Sequence, residues 1–230
     1  ATRVYDIYED HAGNEWVLTN NGLGMLAAGN RTIASYFVET AKKEKGKGQF
    51  FYVAQEYGNE IFFGSDHGRI WRYQKQGGQF ELLQLPASSR IVEIKKMNEQ
   101  AILIVTKTDG FFVYDVASKG MEHYEASRLP KAPVRSAYMD KYSEIWFEQE
   151  VPGTVAHFNA KTKVLKTEVI PVEPTSTDRS RPAFHVHEDI YGTVWVHPYG
   201  GGFSRFDREN NRLQSFYNGL SDANWRFSNK

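Results

Sequence analysis

The sequence predicts an all-β fold, a β-propeller of about five four-stranded blades in tandem, and three features that recur in phase carry that expectation. First, five segments share one frame: Asp10-His-Ala-Gly-Asn-Glu-Trp16, Glu56-Tyr-Gly-Asn-Glu-Ile-Phe62, Met97-Asn-Glu-Gln-Ala-Ile-Leu103, Asp140-Lys-Tyr-Ser-Glu-Ile-Trp146 and Asp189-Ile-Tyr-Gly-Thr-Val-Trp195. Each sets a large apolar anchor six places after its opening residue, which is acidic in four of the five. The anchors stand 46, 41, 43 and 49 residues apart, the period of a four-stranded blade. Second, a glycine follows each anchor: Gly22, Gly68, Gly110, Gly153 and Gly201. Third, a second apolar anchor comes after the glycine, at Leu26, Tyr73, Tyr114, Phe158 and Phe206.

The elements of one unit follow in order. A short apolar segment such as Val4–Ile7, Phe50–Val53 or Ile91–Ile94 supplies the first strand. The acidic opener then caps a tight turn, in which glycine provides positive φ. The second strand carries the anchor, as in Glu15–Thr19 and Thr193–Val196. The third follows the landmark glycine, as in Arg69–Tyr73 and Phe111–Tyr114. A polar turn such as Gln76–Gln79 leads to a weaker fourth strand, for example Phe80–Leu83 or Met121–Tyr124. No amphipathic helix longer than a turn or two is expected.

A four-stranded sheet cannot bury both faces alone, so neighbouring blades must cover them. That explains an aromatic content of 14% and makes the anchors blade-to-blade core. The expected blades span 1–48, 49–88, 89–131, 132–180 and 181–224, with 225–230 starting a further, truncated unit. Two stretches leave the frame. Ala41–Gly48 is a charged linker and Pro171–Pro182 a Pro/Ser/Thr-rich loop, both read as surface segments.

Composition narrows the function classes. Lys plus Arg equals Asp plus Glu, 28 of each, so no global field draws the chain to nucleic acid. The absence of Cys excludes disulfides, thiolate metal sites and a Cys nucleophile. No apolar run reaches the length a membrane helix needs, and Ala1–Tyr5 is no export signal.

Two units resemble a known family. Ile7-Tyr-Glu-Asp-His-Ala-Gly-Asn-Glu-Trp-Val-Leu-Thr19 with Gly22-Leu23 is similar to the two-component regulator propeller repeat. Val186-His-Glu-Asp-Ile-Tyr-Gly-Thr-Val-Trp-Val196 with Gly200–Asp207 resembles it more closely, and Phe216–Asp222 resembles its inter-blade linker. The middle units keep the frame but are degenerate. The resemblance implies a seven-bladed propeller in the periplasmic region of a Bacteroides-type hybrid sensor histidine kinase, a class that detects oligosaccharides released from glycans. On that reading the chain is a fragment, and the rest of the parent sensor, with its kinase modules, is its partner. Two blade faces left open would favour self-association.

The chemistry points to binding rather than catalysis. No nucleophile elbow, P-loop or dinucleotide fingerprint is present, and no cofactor is expected. His185 and His187 share one strand face but lack a third metal ligand, so no metal site is assigned. Arg3, Arg90, Arg135 and Arg181 each lie where a unit's first strand begins, and would gather at one end of the blades. Planar guanidinium forks suit carboxylate or sulfate groups on a sugar. Loops between second and third strands, including Asp66-His67 and Pro198-Tyr-Gly200, open on the same side and add His67 and Tyr199 as ligand-binding candidates. A protein-docking scaffold is the alternative. A streptogramin-lyase-like propeller, drawing on His67, His187 and Glu188, is a weaker third reading that rests on fold analogy alone.

Overall fold

Among the described residues, alternating side chains and tight polar turns give twenty strands in five four-stranded antiparallel sheets, each running in sequence order from its first strand to its fourth. The computed structural model describes residues 2–37, 49–149, 154–169, 184–198 and 203–216. The first sheet comprises β1 (Val4–Glu9), β2 (Glu15–Thr19), β3 (Gly22–Leu26) and β4 (Ile33–Tyr36). The second comprises β5 (Phe51–Tyr57), β6 (Glu60–Ser65), β7 (Arg69–Gln74) and β8 (Gln79–Gln84). The third holds β9 (Ile91–Lys96), β10 (Ala101–Thr106), β11 (Phe111–Asp115) and β12 (Met121–Tyr124). The fourth has β13 (Val134–Met139), β14 (Glu144–Gln149), β15 (Thr154–Asn159) and β16 (Val164–Val169). The fifth has β17 (Phe184–Glu188), β18 (Val194–Pro198), β19 (Phe203–Asp207) and β20 (Arg212–Phe216). A single 3₁₀ turn, Ala126–Arg128, is the helical content of the described residues. These are propeller blades, as the repeat requires. The chain divides into two compact units, Ala1–His123 and Tyr124–Lys230.

Within the first unit the anchors are interleaved between blades. Trp16, Leu18 and Leu23 of the first sheet bury against Phe51, Ala54, Ile61 and Phe63 of the second. The Trp16 ring lies 4.9 Å from both Phe63 and Tyr73. Phe62 and Ile70 in turn meet Ile91, Ile102 and Phe112 of the third sheet. Here the sheets approach so closely that a Cβ on Gly64 would stand 2.7 Å from Val53 and Ile91 methyls. In the second unit Trp146 and Val155 pack on Phe184, Val194, Val196 and Phe206. Trp16, Phe62, Leu103 and Trp146 are all fully buried, whereas Trp195 is only half-buried. Among the described residues no further sheet covers Trp195 as Phe63 covers Trp16.

The acidic openers have a second task beyond their turns. Asp10 accepts the Ala12 and Asn14 amides on Oδ1 and the Trp16 indole N–H on Oδ2 at 3.1 Å. Asp140 does the same for Tyr142, Glu144 and Trp146, and Asp189 for Tyr191, Thr193 and Trp195. An indole needs a buried acceptor, and one carboxylate serves both turn and ring. Trp therefore occurs at the anchor only where Asp opens the unit. The third blade, with Leu103 at the anchor, holds its turn through Asn98 Oδ1 and the Gln100 and Ala101 amides.

The register corrects one equivalence. Glu56 pairs with Ile61 as Glu9 pairs with Glu15, so Glu56 corresponds to Glu9 and Glu188 rather than to Asp10. The second blade's turn is one residue shorter, which puts Glu56 six before Phe62 by coincidence. Its buried carboxylate works across blades, accepting the His11 amide at 2.8 Å and pairing with Lys75. Glu188 repeats this in the second unit, accepting the Lys141 amide and the Tyr138 hydroxyl at 2.8 Å. Burial, then the bond to Glu188, pushes the Tyr138 phenol up to about 12.

Candidate ligand-binding site

At the opposite end of the blades from these turns, a β-bulge interrupts the first strand. Val4 pairs with Thr19 and Asp6 with Leu18, leaving Tyr5 unpaired between them. The same slip leaves Tyr52 extra in β5, Val92 in β9 and Arg135 in β13. A bulge re-aims its side chain and sharpens local twist. Polar side chains at the end of the second strand steady this end. Thr19 and Thr106 hydroxyls each donate to the landmark glycine carbonyl at 2.8 Å, and Gln149 donates to the Pro130 and Ala132 carbonyls. The Gly22 and Gly68 amides reach the next blade, donating to the Gln49 and Ser89 carbonyls.

In the first unit the bulges create a continuous ledge. Tyr5 and Tyr52 have ring centroids 4.7 Å apart, and Phe50 stacks beside Tyr52 at 6.2 Å and touches Tyr5 at 6.5 Å. The Arg3 guanidinium lies 5.3 Å over the Tyr5 ring and that of Arg90 lies 4.9 Å over Tyr52. The Tyr52 hydroxyl donates to the Asp66 carboxylate at 3.1 Å. Burial, with the Asp66 charge behind it, raises the Tyr52 phenol far above its ordinary value. The rings are half-buried, so the ledge is open to solvent on one side.

Of the sequence-derived candidates, Arg3 and Arg90 come together on this ledge. Their backbones join the loops after the second strands, through Arg3 with Asn20 and the Lys107 amide with the Arg90 carbonyl. His67 stands exposed beside Asp66 with φ 56°, its carbonyl accepting from Gln84. Arg135 is exposed in the second unit, at the bulge position of Tyr5 and Tyr52 rather than that of Arg3. Arg181 and Tyr199 lie outside the described residues. His185 and His187 are exposed on β17, and no cluster of three metal-ligating side chains exists among the described residues. The sequence reading missed Tyr5, Phe50, Tyr52 and Asp66 as a group. The available signal was phase, since Tyr5 and Tyr52 precede their anchors by 11 and 10 residues.

The sheets are those of a β-propeller fold, with the ledge at the bulge end of its first blades. A scan of family models and a search of curated proteins find no match. Among solved structures, the extracellular domain of a hybrid two-component system from Bacteroides thetaiotaomicron is similar, with TM-score 0.66 and 17% identity over 93% of this chain and 30% of that one. A second such domain from the same organism gives 0.68 and 14%, over 96% and 28%. A virginiamycin B lyase from Staphylococcus aureus, solved with quinupristin, gives 0.68 and 15%, over 94% and 70%. The chain therefore spans less than a third of the two extracellular domains. At these identities the shared property is the fold. No helix among the described residues is long and apolar enough to cross a membrane.

Proposed function

We propose that this chain is the ligand-sensing propeller segment of a periplasmic, Bacteroides-type two-component sensor, and that it binds a glycan-derived oligosaccharide at the bulge end of its blades. The observation that carries the reading is the ledge of Tyr5, Phe50 and Tyr52 framed by Arg3 and Arg90. Sugar rings offer apolar C–H faces that stack on aromatic rings, while their hydroxyls need polar neighbours such as Asp66. The resemblance of the end repeats to sensor propellers, and the fold shared with such domains, support the same reading. Signalling would pass to kinase modules elsewhere in the parent protein. Calorimetry of the 230-residue chain against neutral and acidic oligosaccharides tests it. Saturable binding that Tyr52→Ala removes is expected, and no binding to any sugar would overturn it.

One observation favours an association role beside sensing. On the first sheet Val4, Ile7 and Ile33 are 52%, 62% and 57% exposed, although Phe51 and Ala54, the counterparts of Val4 and Ile7 in the second sheet, are buried by a neighbouring blade. A face of this kind associates, and sedimentation of the chain with and without Ile7→Lys measures it. Concentration-dependent dimers lost in the variant are expected. No comparable observation favours a lyase, and Glu188 is already engaged by Tyr138 and Lys141.

A further inference from the structure

We infer that the ledge selects an anionic saccharide, whose carboxylate or sulfate meets the Arg90 or the Arg3 guanidinium at an edge of the ledge while the sugar ring lies on Tyr5, Phe50 and Tyr52. This deepens the sensing reading above and rests on it. The starting point is what folding leaves undone. Arg3 and Arg90 make no ion pair among the described residues, and each is held by a ring instead. The Arg90 Nε is buried and has no hydrogen-bond partner. A guanidinium whose charge the fold leaves unpaired gains most from an anion at its terminal N–H groups.

The carboxylates nearby are committed elsewhere. Asp66 accepts the Tyr52 hydroxyl. Asp109 accepts the Ser89 amide at 2.8 Å and the Ser88 hydroxyl at 3.2 Å. Asp6 accepts the amide of Ile7. Two guanidinium groups thus frame a surface whose acids are already satisfied. A ring beneath each guanidinium narrows the space it samples and leaves its N–H groups available for an oxyanion. The spacing of the parts suits a ring that carries its charge on an exocyclic group. Its apolar face would meet the tyrosines and its anion would meet an arginine.

Three probes decide the matter: a tetra-uronate, its carboxyl-reduced neutral counterpart, and a sulfated tetrasaccharide of the same backbone, each titrated calorimetrically into the 230-residue chain. The uronate or the sulfated sugar should bind at least about tenfold tighter than the neutral one. Whichever is tighter names the anion. Raising the salt should weaken the anionic ligands alone. Arg90→Ala should abolish that preference, and Arg90→Lys should recover only part of it because a point charge lacks the planar fork. Unchanged thermal unfolding of both variants would exclude misfolding as the cause. Equal affinity for charged and neutral sugars, insensitive to Arg90→Ala, would overturn anion selection and leave sugar sensing standing. Failure of all three probes would overturn both.

Discussion

The two ends of a blade solve different problems. At the turn end the acids work inside the fold: Asp10 and Asp140 hold their turns and their indoles, and Glu56 and Glu188 tie neighbouring blades. At the bulge end Arg3 and Arg90 tie their backbones to neighbouring loops, but their guanidiniums rest on aromatic rings and make no ion pair among the described residues. The turn end repeats in sequence because blade stacking imposes the same demands on each unit. The bulge end varies, with Tyr5, Tyr52, Val92 and Arg135 at one structural position. Repetition thus marks scaffold, and departure from repetition at an exposed, fixed position marks the surface available for recognition.

The sharpest way to break this contrast is to truncate an anchor. Trp146→Ala removes a fully buried ring packed 4.8 Å from Phe206 and should cost about 3–5 kcal/mol in urea unfolding. A loss below about 1 kcal/mol would mean the blades are not held by their anchors. Next comes the opener. Asp140, whose side chain is fully buried, also pairs with Arg208 at 2.6 Å, so Asp140→Ala should cost about 2–3 kcal/mol. Met97→Ala at the corresponding position of the third unit should cost less, since Asn98 holds that turn. Equal losses would refute the dual role given to the carboxylate.

At the bulge end the signs should reverse. Tyr52→Ala and Arg90→Ala should shift stability by less than about 1.5 kcal/mol, because both sites are half open, yet Tyr52→Ala should remove ligand binding and Arg90→Ala the preference for an anionic sugar. The smallest effect concerns acid. Burial favours the protonated form of Asp10, but the hydrogen bonds from Asn14, Trp16 and Ala12 outweigh it and hold its pKa below the ordinary value. The unfolded chain therefore takes up this proton first. The stabilisation is fully present above the ordinary carboxylate range and is lost as pH falls through the folded value. Asp10→Asn should flatten the acid limb of a stability–pH profile slightly, and an unchanged limb would contradict it.

The sheets, their order and four fully buried anchors could be read from the chain, because stacking forces large apolar residues to recur at fixed spacing. Three features could not. A turn shortened by one residue hid the true equivalence of Glu56 with Glu9. A bulge inserts an unpaired residue without altering residue types, so the strand alternation that exposes Tyr5 and Tyr52 slips out of view. The site also depends on contacts between blades, such as Tyr5 against Tyr52, that no single repeat contains. Arg3 and Arg90 were legible as charged residues where first strands begin, but not as partners of particular rings.

The claim that recognition belongs to the bulge end is tested most directly by a hydrogen–deuterium exchange footprint of the bound oligosaccharide on the chain. Protection is expected at Arg3–Tyr5, Phe50–Tyr52, Asp66-His67 and Arg90, with no change at the turns Asp10–Asn14, Met97–Ala101 and Asp140–Glu144. A footprint confined to those turns, or one absent from Phe50–Tyr52, would contradict the account.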